Sequence, residues 1–168
     1  MFPALTPLIA LLFVMQSHEL KFYQDNISKK ITISVVIITL SLPFFLATNY
    51  LSSILFFEFS EQDTVKAIKE QSSISIPQFI SLLFLSPFLE ELYFRGILFS
   101  FLNTLIGPFW AILIASMYFA LIHINVLALP SLFTLGIILG LVYYFSQNLL
   151  FSIFVHIIFN AVMLSIIL

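Results

Sequence analysis

The chain has 168 residues, of which 61% are hydrophobic, 8% are charged and none is cysteine, and its mean hydropathy is +1.15. A globular domain in water carries about 25% charged residues, whereas residues 96–168 of this chain contain no Asp, Glu, Lys or Arg. The composition therefore excludes a soluble enzyme, a disordered tail and a nucleic-acid-binding surface, and the absence of cysteine excludes disulfides and thiolate chemistry.

Six apolar segments follow one another along the chain, separated by polar or proline-rich points. A helix needs about 20 apolar residues to cross the hydrocarbon, and lipid favours helices because unpaired backbone amides are costly there. The sequence therefore predicts an all-α fold, a polytopic transmembrane bundle of about six helices. The predicted segments are Met1 to Gln16, Ile31 to Phe57, Ile76 to Ile106, Pro108 to Ile124, Ala128 to Phe145 and Leu149 to Leu168.

The first segment, Met1 to Gln16, is short for a span and has no basic start. We interpret it as a retained first helix rather than a signal peptide, with a tilted or interfacial segment as the alternative. Residues 1–75 would then hold N-terminal membrane helices and their links, and residues 76–168 a core of four helices. The small size and the lack of a targeting signal favour a bacterial inner membrane.

Three charged residues, Glu90, Glu91 and Arg95, interrupt the apolar segment that begins at Ile76. Charges inside a membrane are costly unless they are paired or face water, and they often mark functional sites. Glu91 and Arg95 are four residues apart with the acid first, the favourable order for a helical ion pair. Glu90 lies about 100° around the helix and has no obvious local partner, which makes it a candidate proton acceptor. The alternative is a charged turn between two shorter helices.

The last segments contain a few polar residues without a formal charge. His123 follows Phe119 by one helical turn, and His156 and Asn160 share one helix face. A lone membrane histidine is more often a helix-packing residue. Together with Glu90, however, these groups suit peptide hydrolysis, because a carboxylate can deprotonate water while imidazole and amide donors stabilise an oxyanion. Counting depth along straight helices, they meet only if the last helix is shifted or the predicted boundaries are off by about one turn.

Two other functions fit the same residues. Glu90, His123 and His156 would leave an open position for water on Zn²⁺. A proton-coupled transporter would use them as a relay, although the sequence lacks the internal repeat from which transporters are commonly built.

Gly136 and Gly140 form a Gly-x-x-x-Gly pair, which predicts close packing between helices.

Three motifs, Glu90-Glu91-x-x-x-Arg95, Phe119-x-x-x-His123 and His156-x-x-x-Asn160, resemble those of the CPBP family of intramembrane proteases. That family includes the CAAX prenyl endopeptidases and the bacterial Abi, or bacteriocin-immunity, proteins. The resemblance covers about residues 76–168, which would be the catalytic core. It implies that Glu90 activates water, that His123 binds or polarises that water, and that His156 and Asn160 form the oxyanion hole.

By the same resemblance, Glu91 and Arg95 would organise the site or grip the substrate. Members of the family have been described both as metalloproteases and as glutamic proteases, so Zn²⁺ is a candidate cofactor. The partners would be membrane lipid and a membrane-anchored protein or peptide, cut at a CAAX-type or C-terminal sorting signal, and not nucleic acid. The alternative is a non-catalytic bacteriocin self-immunity or partner-binding membrane protein.

Overall fold

The computed structural model describes residues 27–56 and 74–167, together with residues 58 and 66. Four helices in this part of the chain are long and apolar enough to cross a membrane. They are α1 (Ile27–Leu55), α2 (Ile76–Ile122), α3 (Leu129–Ser146) and α4 (Leu149–Ile167). The all-α transmembrane class is thus confirmed. The count of six is not, and the predicted helix Met1 to Gln16 lies outside the described residues.

The longest helix, α2, breaks at one glycine. A straight helix of its 47 residues would measure about 70 Å, more than twice the roughly 30 Å of hydrocarbon. At Gly107 the backbone leaves helical geometry, with φ 80° and ψ 166°, a conformation that glycine adopts without a Cβ clash. Pro108 then starts the next stretch, as proline does in a first helical turn. The sequence therefore placed this boundary correctly, and we call residues 76–106 the first arm and residues 108–122 the second arm.

The two arms of α2 lie against each other. The rings of Phe94 and Phe119 meet edge to face with centroids 5.2 Å apart, and Phe99 shares a buried cluster with Ala111 and Ala115. These contacts join residues on opposite sides of Gly107. The helix therefore folds back on itself, and one helical hairpin supplies two walls of the bundle.

The first arm contains two π-helical stretches, Ser81–Leu85 and Leu92–Phe99, on either side of the α-helical segment Ser86–Glu91. Pro87 lies in the α-helical segment and removes one backbone hydrogen bond. The chain stays helical through this proline and adopts π geometry just before it. Such π turns are rare overall, and those that occur are often found at functional sites.

One apolar core joins all four helices. It comprises Phe45, Phe94, Phe119, Leu135, Ile138, Leu139, Val142, Val155 and Phe159. The outside of the bundle is also apolar, with Leu40, Phe109 and Leu150 largely exposed. Soluble monomers rarely expose extended apolar surface, so this surface is suited to face lipid.

The glycine pair of α3 packs on the second arm. A Cβ atom built on Gly136 would lie 2.8 Å from the Cβ of Ser116, and one on Gly140 would lie 3.1 Å from Cγ2 of Ile112. The predicted close approach is confirmed. Because a methyl group at residue 136 would overlap its neighbour, this helix pair requires glycine there.

Candidate active site

A cavity of about 320 Å³ opens among α1, both arms of α2, α3 and α4. Glu90, His123, His156 and Asn160 all line it. Glu90 and His156 lie close together, so the difference in depth counted along straight helices of uniform rise does not separate them. The structure thus brings four of the six predicted site residues to the wall of one cavity.

The remaining wall of the cavity is mostly apolar. Phe45 and Asn49 of α1 contribute to it, although α1 precedes the predicted catalytic core of residues 76–168. The other lining residues are Leu82, Leu83, Ser86, Phe119, Ala128, Ser131, Leu132, Leu135, Met163, Leu164 and Ile167. Ligand pockets of this kind combine an apolar wall with a few polar groups that fix orientation.

Glu90 faces the cavity with two differently placed oxygens. Its Oε1 accepts a hydrogen bond of 2.5 Å from the hydroxyl of Ser86, while its Oε2 lies 3.7 Å from Nε2 of His156. The side chain is 22% exposed. The expectation that Glu90 lacks a local partner is therefore wrong, because Ser86 stands one helical turn earlier on the same face. The four-residue spacing was the signal that could have found it.

Glu91 does not line the cavity and is completely buried. Its carboxylate accepts hydrogen bonds from Arg95 Nη1 at 2.7 Å, from His156 Nδ1 at 3.0 Å and from the hydroxyl of Ser152. Arg95 in turn donates from Nη2 to the carbonyl oxygen of Gly136 at 2.9 Å. The predicted ion pair is confirmed, and it belongs to a network that ties the first arm to α3 and α4.

Arg95 is enclosed as fully as Glu91. Its guanidinium carbon lies 5.0 Å from the ring centroid of Phe119 and 5.9 Å from that of Phe94, within the range of cation–π attraction. Only 2% of the residue is exposed, and neither Arg95 nor Glu91 lines the cavity. Of the two roles implied by the resemblance, this geometry favours organising the site over gripping a substrate.

His156 stands between the two glutamates. A carboxylate only accepts hydrogen bonds, so Nδ1 carries the proton in the contact with Glu91. In the neutral ring, Nε2 then presents a lone pair towards Glu90. His156 can donate to an oxyanion only when Nε2 is protonated as well, which differs from the neutral imidazole donor expected from the sequence.

His123 and Phe119 form a unit at the end of the second arm. Nδ1 of His123 lies 2.7 Å from the carbonyl oxygen of Phe119, and since a carbonyl only accepts, that nitrogen carries the proton. The Phe119 ring is 4.9 Å from the His123 ring and 5.8 Å from the His156 ring. The phenylalanine of this motif therefore contacts both histidine rings and binds one of them through its backbone carbonyl.

Asn160 is anchored by a backbone group of the first arm. Its Nδ2 donates a 3.0 Å hydrogen bond to the carbonyl oxygen of Leu82. In an α-helix that carbonyl would accept from Ser86 N–H, which here donates to Ser81 instead. Because a carboxamide nitrogen carries two hydrogens, Asn160 keeps one more donor after this bond.

Zn²⁺, the candidate cofactor, requires a set of protein ligands placed around one metal ion. Within residues 27–56 and 74–167, as at residues 58 and 66, no group of three His, Asp or Glu side chains is placed to hold one. Glu90, His123 and His156 line one cavity but do not form such a group, whereas catalytic zinc sites use three protein ligands.

The comparisons with known proteins agree with this site. The family model described as type II CAAX prenyl endopeptidase Rce1-like matches residues 72–162, just over half of the chain. The matched range contains all three motifs, from Glu90 to Asn160, and confirms the resemblance read from them. No curated protein and no solved structure matches. With four apolar helices around a cavity that holds these motifs, the chain is an integral membrane protein and belongs to the Rce1-like family of type II CAAX prenyl endopeptidases.

Proposed function

We propose that the protein is an intramembrane endopeptidase that hydrolyses a peptide bond of a membrane-anchored protein or peptide with water activated by Glu90. The observation that carries this proposal is the placement of Glu90 Oε2 3.7 Å from His156 Nε2 in a cavity that Asn160 and His123 also line. That separation exceeds a direct hydrogen bond. A water molecule beside the pair can interact with both groups.

The reaction needs one proton acceptor and one oxyanion site. Glu90 Oε2 takes a proton from water while the water oxygen attacks the carbonyl carbon of the substrate. The carbonyl electron pair moves to oxygen and forms a tetrahedral oxyanion. The C–N bond then breaks, and Glu90 returns its proton to the departing amine nitrogen.

Three further groups support this chemistry in distinct ways. The second Nδ2 hydrogen of Asn160 and a protonated Nε2 of His156 would donate to the oxyanion. Glu91, on the Nδ1 side of His156, compensates the positive charge of that protonated ring and fixes its orientation, as the acid does in a catalytic triad. His123 would hold the attacking water.

The proposed substrate is a segment with apolar side chains, of CAAX or C-terminal sorting-signal type. Apolar side chains form most of the cavity wall, and the lining residues include no Lys or Arg and one acidic group, Glu90. We therefore propose that the segment that enters the cavity carries apolar side chains. We also propose that hydrolysis needs no metal, because no group of three His, Asp or Glu side chains among the described residues is placed to hold one.

The test is cleavage of membrane-anchored peptides by purified protein in detergent. Wild type, Glu90→Gln and the exposed control Glu58→Gln are each assayed with and without a strong chelator. The proposal predicts activity in wild type and in Glu58→Gln, with chelator making no difference, and none in Glu90→Gln. Activity in Glu90→Gln would overturn the role of Glu90 and favour a partner-binding protein, which tolerates this near-isosteric change. Loss with chelator would overturn the metal-free mechanism.

A further inference from the structure

The carbonyl oxygen of Leu82 does not accept the α-helical hydrogen bond from Ser86 N–H in the first arm. In an α-helix it would accept from the N–H of residue 86, but Ser86 N–H donates to the oxygen of Ser81 across the π turn. If the π pattern continued, the donor would be residue 87. That residue is Pro87, which has no N–H. Neither helical pattern therefore supplies Leu82 with its usual partner.

The side chain of Asn160 in α4 donates a hydrogen bond to the Leu82 carbonyl in place of a backbone N–H. Its Nδ2 lies 3.0 Å from the Leu82 oxygen, and both residues line the cavity. The Leu82 carbonyl is partly buried, and a carbonyl shielded from water is unfavourable without a donor, so this oxygen holds the carboxamide in one orientation. The remaining hydrogen of that nitrogen is thereby fixed as well, in the cavity wall that also carries Glu90.

We propose that Pro87 is a positioning residue for catalysis, which keeps the Leu82 carbonyl open so that it orients Asn160 as an oxyanion donor. The inference rests on the proposed function. Pro87 is buried and does not line the cavity, so it acts through Leu82 and Asn160 rather than on the substrate. Donors to an oxyanion are effective when they are oriented before the reaction begins.

The experiment compares Pro87→Ala with Pro43→Ala in the full chain. Pro43 also lies inside a helix, but it is exposed and outside the cavity. Alanine at residue 87 restores an N–H, allows the arm to return to α geometry and frees Asn160. For Pro87→Ala we expect kcat to fall roughly tenfold with KM unchanged. We expect no loss of thermal stability in this variant, because alanine suits a helix better than proline. Pro43→Ala should change neither kcat nor thermal stability.

A double-mutant cycle separates positioning from a structural role. In an Asn160→Leu background, Pro87→Ala should cause no further loss of kcat, because both changes remove the same donor. An equal loss in both backgrounds, or an unchanged kcat in Pro87→Ala alone, would overturn the inference. If wild type cleaves and Glu90→Gln does not, either result leaves the proposed function standing and refutes only the role of Pro87.

Two measurements keep the inference testable if Pro87→Ala does not fold or no substrate is cleaved. Replacing residue 83 with the α-hydroxy acid analogue of leucine turns the Leu82 carbonyl into an ester, a weaker acceptor, and leaves every side chain in place. The same fall in kcat is expected, and full activity would contradict the inference. The side-chain ¹⁵N resonance of Asn160 should also shift in this analogue without any substrate, and an unchanged resonance would count equally against it.

Discussion

The buried carboxylate of Glu91 lies 3.0 Å from Nδ1 of His156, a residue 65 positions later in the chain. The same carboxylate binds Arg95 at 2.7 Å. One acid therefore fixes both a neighbouring cation and the ring that faces Glu90. The two adjacent glutamates have different surroundings, since Glu91 is enclosed and Glu90 reaches the cavity.

Glu91→Gln is expected to destabilise the protein, whereas Glu90→Gln is not. Removing the charge of Glu91 leaves Arg95 buried without its counter-ion, and breaking a buried pair costs about 3–5 kcal/mol. Glutamine at residue 90 still accepts from Ser86. The melting temperature measured in detergent should therefore be much lower for Glu91→Gln than for wild type. Glu90→Gln should be inactive but should melt near the wild-type temperature. Equal stability of the two variants would contradict this division.

Arg95→Lys should behave as a disruptive change. Arg95 uses Nη1 for Glu91 and Nη2 for the carbonyl of Gly136, and one ammonium group cannot reproduce this planar fork. We expect a loss of about 1–3 kcal/mol for the buried acceptor left unsatisfied, measured by chemical or thermal unfolding. The exposed Lys29→Arg is the control and should be neutral. Wild-type stability of Arg95→Lys would show that the Gly136 contact is dispensable.

Gly136→Ala and Gly140→Ala should differ in severity. The new Cβ at residue 136 meets the Cβ and backbone of Ser116 at 2.8 and 2.9 Å, whereas at residue 140 it meets the side chain of Ile112 at 3.1 Å. A side chain can move and a backbone cannot, so Gly136→Ala should cost about 1–3 kcal/mol and Gly140→Ala less. Unfolding curves of both variants test the order. A greater loss at residue 140 would contradict it.

Ser86→Ala should lower activity while Ser86→Thr restores it. The Ser86 hydroxyl holds Oε1 of Glu90 at 2.5 Å, which leaves Oε2 to face His156. Without that bond the carboxylate can rotate, and we expect kcat to fall roughly tenfold with KM little changed. Ser165→Ala, at an exposed position near the end of α4, is the control. The interpretation fails if threonine is as impaired as alanine.

Helix spans and motif residues were predictable from local patterns. Hydropathy located the apolar segments, and four-residue spacing identified both the Glu91–Arg95 pair and the shared face of His156 and Asn160. The contact between Ser152 and Glu91 was not predictable, because it joins residues 61 positions apart and depends on how α4 is set against the first arm. The open carbonyl of Leu82 was equally hidden, since hydropathy does not distinguish a π turn from an α turn.

The separation of the charged residues along the chain also bears on how the protein enters the bilayer. Glu91 and Arg95 are one helical turn apart, so their ion pair can form as soon as the first arm becomes helical. Such a pair carries no net charge and is less costly in lipid than two isolated ions. Gly136, Ser152 and His156 are synthesised later, so they would join a pair that is able to form without them. The first arm can therefore be inserted before the rest of its network has been synthesised.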